Sequence, residues 1–525
     1  MHLLKPARII SCVAAAMLAI GCGGPSPQPK ADAESLVDSI PLVEEFDPDA
    51  EFRWANSDGA TSWDPTMSLT SFDQAFLSPV YDRLVYAAPD GTLEPMLAES
   101  WNVSDDRTAL TFHLRAGITF SDGAPLNAEA VKQNLERMLD PESPQSTYLA
   151  SITAIEVVDE LTVRLVGADQ MGSVLTQMSG VPGMIASPQS ISAGTLDTQP
   201  VGAGPYIATE IIPGNSVQFE RTPNYWDPDV QRVASMFFQA IPDDQTRLNG
   251  LISGQFDGAV IRPNQVNAAN RDELAVVSAT SPVFSWLNLN TGIEPLDDPS
   301  VRLAINHAID RAGISEGLWD GFCTPQTQPF PDTSFAYSKE AGDGLDEWDY
   351  DPQKAKELLA DAGYEDGFTL NIVAGDVSVN TATAEIIQSQ LKDVGVTVTI
   401  EVLSSVPLVQ EFVVDKTAGG MIATSGSLDP HSTLQAFLLP DSRFNPGGQT
   451  PQEMTDLILE AAAPLNTEER GAIYTDLMEL WMETPPNLIP ICMTKNLQAF
   501  SATVTGVDTY ASGVYDFRGI AIKQT

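Results

Sequence analysis

Histidines, thiols and paired carboxylates are where chemistry in a protein usually begins, and this chain deploys them without a visible catalytic pattern. Its histidines beyond the first few residues, His113, His307 and His431, stand on different sequence elements with no neighbouring His or Cys. One imidazole alone makes no metal cage, so no resident metal, nickel included, and no other cofactor is expected. Carboxylate pairs for acid and base roles are unavoidable by chance among 71 acidic residues. There is no His-Glu-x-x-His and no triad context, and no Gly-x-Ser-x-Gly nucleophile elbow is expected, which argues against a secreted hydrolase. A phosphate-cradling Gly-x-x-x-x-Gly-Lys-Ser/Thr loop is also absent, so any ATP hydrolysis coupled to this chain belongs to a partner. What the sequence does offer are binding groups. Trp286, Trp348 and Trp481 are candidate stacking platforms, with Trp286 the one near an expected domain crossing.

Composition narrows the partners. The 525 residues carry 27 Lys and Arg against 71 Asp and Glu, a formal charge of −44, which disfavours nucleic acid. With 43% hydrophobic residues the chain has enough apolar surface to fold, and its length allows two to four domain-sized units. Lys5 and Arg8 precede an apolar run from Ile9 to Ile20 that is too short to span a bilayer and reads as an export signal, residues 1–21. The run ends Leu18-Ala-Ile-Gly-Cys22, which resembles the lipobox of bacterial lipoproteins and implies acylation of Cys22. Residues 22–48, in which Gly23-Gly-Pro-Ser-Pro-Gln-Pro29 follows Cys22, read as a solvated tether. The only expected membrane attachment is therefore the lipid, outside the cytoplasmic face. Cys323 and Cys492 remain, either as a disulfide or as two buried thiols.

Periodicity supplies the elements that must position a site. Leu110, Phe112 and Leu114 alternate with polar residues as a half-buried strand does, and strand signals return at 161–166 and 217–220. Asn127 caps a helix with Val131, Leu135 and Met138 on one face. From about residue 298 helices and strands alternate. Asp298-Pro299 and Asp351-Pro352 each open a helix, and a third helix ending at Gly395 lies between strands at 369–373 and 396–402, a βαβ pattern. A Pro-, Gly- and Ser-rich stretch from Gly180 to Pro205 marks a domain crossing.

Six ordered blocks carry a resemblance that covers nearly the whole chain after the tether. The first runs from Leu93-Glu-Pro-Met-Leu-Ala-Glu-Ser-Trp101 through Phe112-His-Leu-Arg115 and Phe120-Ser-Asp-Gly123 to Ala128-Glu-Ala-Val131. Later blocks are Gly202-Ala-Gly-Pro-Tyr206, Arg221-Thr-Pro-Asn-Tyr-Trp226, Leu287-Asn-Leu-Asn290, Val301 to Arg311, and Tyr350 to Tyr364. With these the chain resembles the large solute-binding proteins of ABC importers, the family of oligopeptide-, dipeptide-, nickel- and glutathione-binding components. The resemblance implies an α/β, two-lobed periplasmic-binding-protein-like clamp, type II-like with an extra domain and mixed sheets in each lobe. It implies domain I from residues 49–65, 200–280 and 491–525, domain II from 66–199 and domain III from 281–490, with crossings near Pro205, Ser281 and Ile491. It further implies a monomer that serves permease subunits and a separate ATPase. A sensor lipoprotein without a permease would keep the same clamp.

The resemblance also nominates ligand contacts. A strand on Gly59, Ala60, Thr61 and Ser62, just before Trp63-Asp64-Pro65, would pair with an extended ligand backbone. Tyr148 would offer an aromatic ring from the second domain. In Ala423-Thr424-Ser425-Gly426-Ser427-Leu428-Asp429-Pro430-His431, peptide-binding relatives place a Trp and an ammonium-binding Asp where this chain has Ala423 and Gly426. Thr424, Ser425, Gly426, Asp429 and His431 are thus candidate contacts, with Asp429 either a substitute carboxylate or a turn former. A wall of small hydroxyl-bearing residues fits blocked, amide- or hydroxyl-rich solutes better than peptides with free amino ends.

Overall fold

The computed structural model describes residues 36–68, 73–168, 171–427, 429–462, 467–510 and 513–524. Cys22, the expected signal, and the tether up to residue 35 lie outside the described residues. Among the described residues no helix is long and apolar enough to cross a membrane.

Caps chosen by the local sequence set the helices. Asn127 Oδ1 accepts from the Ala130 amide at 3.0 Å and opens Ala128–Met138. Asp298 and Asp351 do the same for Pro299–Ala308 and Pro352–Asp361, each followed by a proline whose missing N–H costs nothing there. Beyond Ser378–Asp393, Gly395 turns the chain at φ +95°, a conformation other residues rarely adopt. That helix connects Thr369–Gly375 to Thr397–Leu403, which pair in parallel, the βαβ unit the periodicity predicts.

One twelve-stranded sheet joins strands from both halves of the chain. Its path goes from Thr397–Leu403 through Thr369–Gly375, Gly420–Ser425, Ala275–Leu289, Leu488–Phe500, Gly258–Val260, Glu51–Asn56, Ser235–Ala240 and Ser216–Arg221 to Tyr206–Ile212. A separate four-stranded antiparallel sheet contains Ala98–Val103, Ala109–Leu114, Thr162–Gly167 and Ile152–Asp159. Its core, from Leu84 to Ala203, packs the Ala128–Met138 helix on this sheet. The cores at the two ends of the large sheet are also distinct. Phe52, Trp54, Phe238 and Phe517 centre one, and Leu287, Ile305, Ile387 and Ile489 centre another.

Among the described residues two long antiparallel strands, 275–289 and 488–500, connect these ends. Their pairing slips between Thr280 and Phe284, where Ser281, Pro282 and Val283 stand opposite Thr494, whose Oγ1 donates to the Val283 carbonyl at 2.9 Å. Cys323 and Cys492 form a disulfide with Cα atoms 5.3 Å apart, which decides between the two alternatives for these thiols. It staples the short strand Cys323–Pro325 to the 488–500 strand.

Two expectations need correction here. The strand expected at Gly59–Ser62 ends earlier, at Asn56, and residues 59–62 form a loop. Asp73 draws them out of extended geometry by accepting from Thr61 N at 2.8 Å and Thr61 Oγ1 at 2.6 Å, while Ser62 Oγ donates to Asp197 at 2.6 Å. The letters Gly-x-Ser-x-Gly do occur, at Gly313-Ile-Ser-Glu-Gly317, but inside the helix Arg311–Leu318. There Ser315 is buried and donates to the Cys323 carbonyl at 2.5 Å, so it is no exposed nucleophile.

Candidate functional site

Three parts of the chain converge on one cleft. The polar end of the 420–425 strand leads into Gly426 and Ser427, and Val283 comes from the slipped register beside them. Opposite them stand Gln145, Tyr148 and the segment Thr176 to Pro182, next to the four-stranded sheet. The floor is made by Ser68, Gln74 and Arg83 together with Tyr510, Val514 and Asp516 of the C-terminal segment. The cleft offers about 140 Å³ to the centres of water molecules, within about 960 Å³ of atom-free space that includes its mouth.

Local bonding fixes this wall. Gln145 Nε2 donates to the Ser68 carbonyl at 2.7 Å and Ser143 Oγ to the Thr66 carbonyl at 2.6 Å, which pins the Tyr148 turn to the floor. Tyr148 remains 42% exposed, enough of its ring to meet a bound molecule. Gly426 is dictated by a close approach, because a Cβ there would sit 2.0 Å from the Pro282 carbonyl oxygen. The lobes touch directly across the mouth. Gln177 Nε2 donates to Ser432 Oγ at 2.8 Å, and Arg107 faces Glu469 at 3.7 Å on the surface. Such contacts belong to a closed clamp.

The lining mixes hydroxyls, amides and main-chain groups with the apolar side chains of Ala87, Val181, Pro182, Val283 and Val514, an arrangement that can bind and orient a solute with both polar and apolar parts. No group of three or more His, Cys, Asp or Glu suited to a metal occurs among the described residues. Among the described residues the cleft places no imidazole or thiol beside a carboxylate to move protons.

The model of the bacterial extracellular solute-binding proteins, family 5, matches residues 92–445. The chain belongs to this family. The glutathione-binding protein GsiB of Salmonella typhimurium is 29% identical over 469 residues, 85% of this chain and 89% of that protein. Among solved structures, the periplasmic binding protein DppA from Helicobacter pylori in complex with peptide STSA superposes with TM-score 0.80 at 24% identity, covering 91% of this chain and 99% of that one. AgaA from A. tumefaciens R10 in complex with agropinic acid gives TM-score 0.78 at 25% identity, with the same coverage. As a family 5 member the chain is an extracytoplasmic solute-binding protein of an ABC importer and not an enzyme, and its fold is the two-lobed α/β clamp.

In this family 5 chain the nominated contacts separate into two groups. Tyr148 and Gly426 line the cleft. Thr424 and Ser425 lie just behind, with Thr424 Oγ1 on Asn380 at 2.8 Å and Ser425 Oγ accepting from Trp286 Nε1 at 3.1 Å. Gly59, Ala60, Thr61 and Ser62 are not among the lining residues. Trp286 is 1% exposed and packs edge-on against Phe437 at 5.0 Å, so this candidate platform is core, and Trp348 and Trp481 are buried too.

Asp429 is not the substitute carboxylate. Its oxygens accept from Arg470 at 2.7 and 3.0 Å and from the His431 amide at 2.8 Å, which caps the helix Pro430–Phe437. Burial alone would raise the Asp429 carboxyl, but the Arg470 charge and these hydrogen bonds hold it below the usual carboxylate range. His431 faces the same interior, its Nδ1 3.1 Å from the Ile458 carbonyl, and burial pushes its pKa down against the pull of Asp429. The Asp-Pro pair therefore shapes the helix start, and the side chain of that helix that crosses the cleft is Ser432.

The sequence reading missed Gln145, Thr176 to Pro182, Arg83, Tyr510 and Asp516 as cleft residues. One signal did point there, since the Pro- and Gly-rich stretch read as a crossing begins at Gly180.

Proposed function

We propose that this chain is the lipid-anchored capture component of its importer, closing its lobes around a peptide-like or other amide- and hydroxyl-rich solute of no net charge and presenting it to a permease. The observation that carries this reading is the chemistry of the cleft wall: apart from Arg83 and Asp516, which neutralise each other, its described polar side chains are Ser, Thr, Gln and Tyr. An isolated ammonium or carboxylate entering such a wall loses hydration without gaining a countercharge, whereas amides and hydroxyls exchange water for matched partners. The likeness to GsiB and to DppA with its peptide supports an amide-bearing solute, and the agropinic acid bound by AgaA marks how far ligands of this fold depart from peptides.

The assignment of 49–65, 200–280 and 491–525 as I, 66–199 as II and 281–490 as III draws support from the separate cores around Leu84 to Met178 and around Leu287 to Ile489, while Ala75 to Tyr81 and Val181 to Leu196 share the core of domain I; it makes 275–289 and 488–500 the connection about which the lobes swing. The anchor rests on Leu18 to Cys22. Cys22→Ser should move the protein from the membrane fraction to the soluble extracytoplasmic fraction, and unchanged fractionation would remove the lipid from this account. For the cargo, solute released by denaturing the purified protein is identified by mass spectrometry. Blocked or uncharged amide compounds are expected, and a predominance of peptides with free amino ends would overturn the reading.

A further inference from the structure

A single pair of opposite charges stands in the otherwise neutral wall. Arg83 and Asp516 are the only ionised side chains among the described residues lining the cleft. They meet at 2.5 Å, with side chains 4% and 6% exposed. Asp516 is held from behind by the Arg518 amide, which donates to Oδ1 at 3.0 Å. The Arg83 guanidinium lies 5.4 Å from the ring centroid of Tyr86, whose hydroxyl meets that of Tyr510, another cleft residue, at 3.0 Å.

The pair leaves the guanidinium under-used. Among the described residues its one side-chain hydrogen bond runs from Nη2 to Asp516, and its Nε is buried with no partner. A guanidinium has five N–H donors, and leaving charged donors unmade inside a protein is costly. Elsewhere in this chain buried arginines spend theirs. Arg302 donates to three backbone carbonyls, and Arg311 donates to the Pro490 and Asn306 carbonyls and to the Asn306 side chain. Arg83 differs from both in lining the cleft.

We propose that Arg83 is the donor that anchors the solute, by hydrogen bonds to a neutral carbonyl oxygen of an amide or ester, and that Asp516 is the fixed countercharge that sets this preference. The inference rests on the reading of the cleft as a binder of uncharged, amide-bearing solutes. Its logic is electrostatic. A solute carboxylate would bring a second anion to the one cation among the described cleft-lining residues, whereas a neutral oxygen takes the spare donors without disturbing the balance. Asp516 thus acts through Arg83 as a positioning residue.

Isothermal titration with two matched probe series tests this: N-acetylated, C-amidated di- and tripeptides, and the same peptides with free carboxylates. The wild-type chain should prefer the amides. The double variant Arg83→Met with Asp516→Leu removes both charges together, so no unpaired ion is left to unfold the domain. It should keep its melting temperature and lose at least about tenfold in affinity for the amides, the usual scale for a hydrogen bond to a charged donor. Asp516→Asn should reverse the preference towards free carboxylates, a change of selectivity that a structural role would not produce. Binding by the double variant within twofold of wild type, or an unchanged preference in Asp516→Asn, overturns the assignment and leaves the neutral-solute reading standing. Failure of the wild-type chain to bind either series overturns both.

Discussion

Replacing Gly426 with Asp would put a carboxylate at the place where the sequence resemblance implies an ammonium-binding Asp, yet here it should destabilise the chain without creating an ammonium site. A Cβ on residue 426 would sit 2.0 Å from the Pro282 oxygen, 2.7 Å from the Pro282 carbonyl carbon and 2.9 Å from Val283 Cα. All three are backbone atoms, so no side chain can swing aside. Reaching ordinary contact requires the end of the 420–425 strand and the slipped segment at 281–283 to part by roughly 1.4 Å. Overpacking of this kind costs about 1–3 kcal/mol, and rigid backbone on both sides puts it near the top of that range. For a cooperative unit of about 200 residues, about 3 kcal/mol lowers Tm by roughly 6–12 °C. Differential scanning calorimetry of Gly426→Ala, which adds the Cβ alone, and Gly426→Asp should give drops of that order for both. Titration with unblocked dipeptides should show no gain for Gly426→Asp. A Tm within 2 °C of wild type together with a tenfold gain for unblocked dipeptides would refute the steric argument.

Asp429→Asn strands the Arg470 charge in the interior, and loss of about 3–5 kcal/mol is expected on chemical denaturation; a loss below about 1 kcal/mol would mean that solvent reaches the pair. The neutral state of buried His431 and His307 sets a pH dependence: each has its pKa lowered by burial, so the unfolded chain takes up the proton first, and stability present above the ordinary histidine value of about 6.5 declines as pH falls below it. His431→Gln should flatten the slope of Tm between about pH 6.5 and 5, and an unchanged slope would assign the acid sensitivity elsewhere. Cys323→Ser with Cys492→Ser opens a loop of 169 residues, for which chain entropy predicts about 5 kcal/mol; unaltered denaturation midpoints would show that the sheet alone carries that order.

Much of the architecture was legible because its signals are local. Asn127, Asp298 and Asp351 precede their helices in the sequence as they do in space, and each cap forms as expected. Alternation at 110–114 and 396–402 marked strands because one face of each is buried. The cleft was less legible because its wall is assembled from short irregular pieces with no period of their own. Arg83 meets Asp516 across 433 positions, and nothing near either residue announces the other. Proximity in sequence misled at 429–431: three residues beyond Gly426 the chain turns inward, and Arg470, 41 positions on, captures Asp429. Likewise, the loop at 59–62 is shaped by Asp73 and Asp197, which no reading of the loop alone would supply.

The two strands that join the ends of the large sheet form a ladder, not a pair of independent threads, and that limits how the jaws can travel. Like a leaf spring, a ladder flexes readily out of its own plane but resists one rail sliding past the other, because sliding would break the bonds between the rails. The Cys323–Cys492 rivet stiffens one end of this spring, where 323–325 adds a third rail beside 492–494. At the other end Gly258–Val260 pairs with 498–500 and Leu36–Val37 with 276–277, so compliance is concentrated in the stretch between, where Ser278 to Thr280 face Lys495 to Leu497 beside the slipped register.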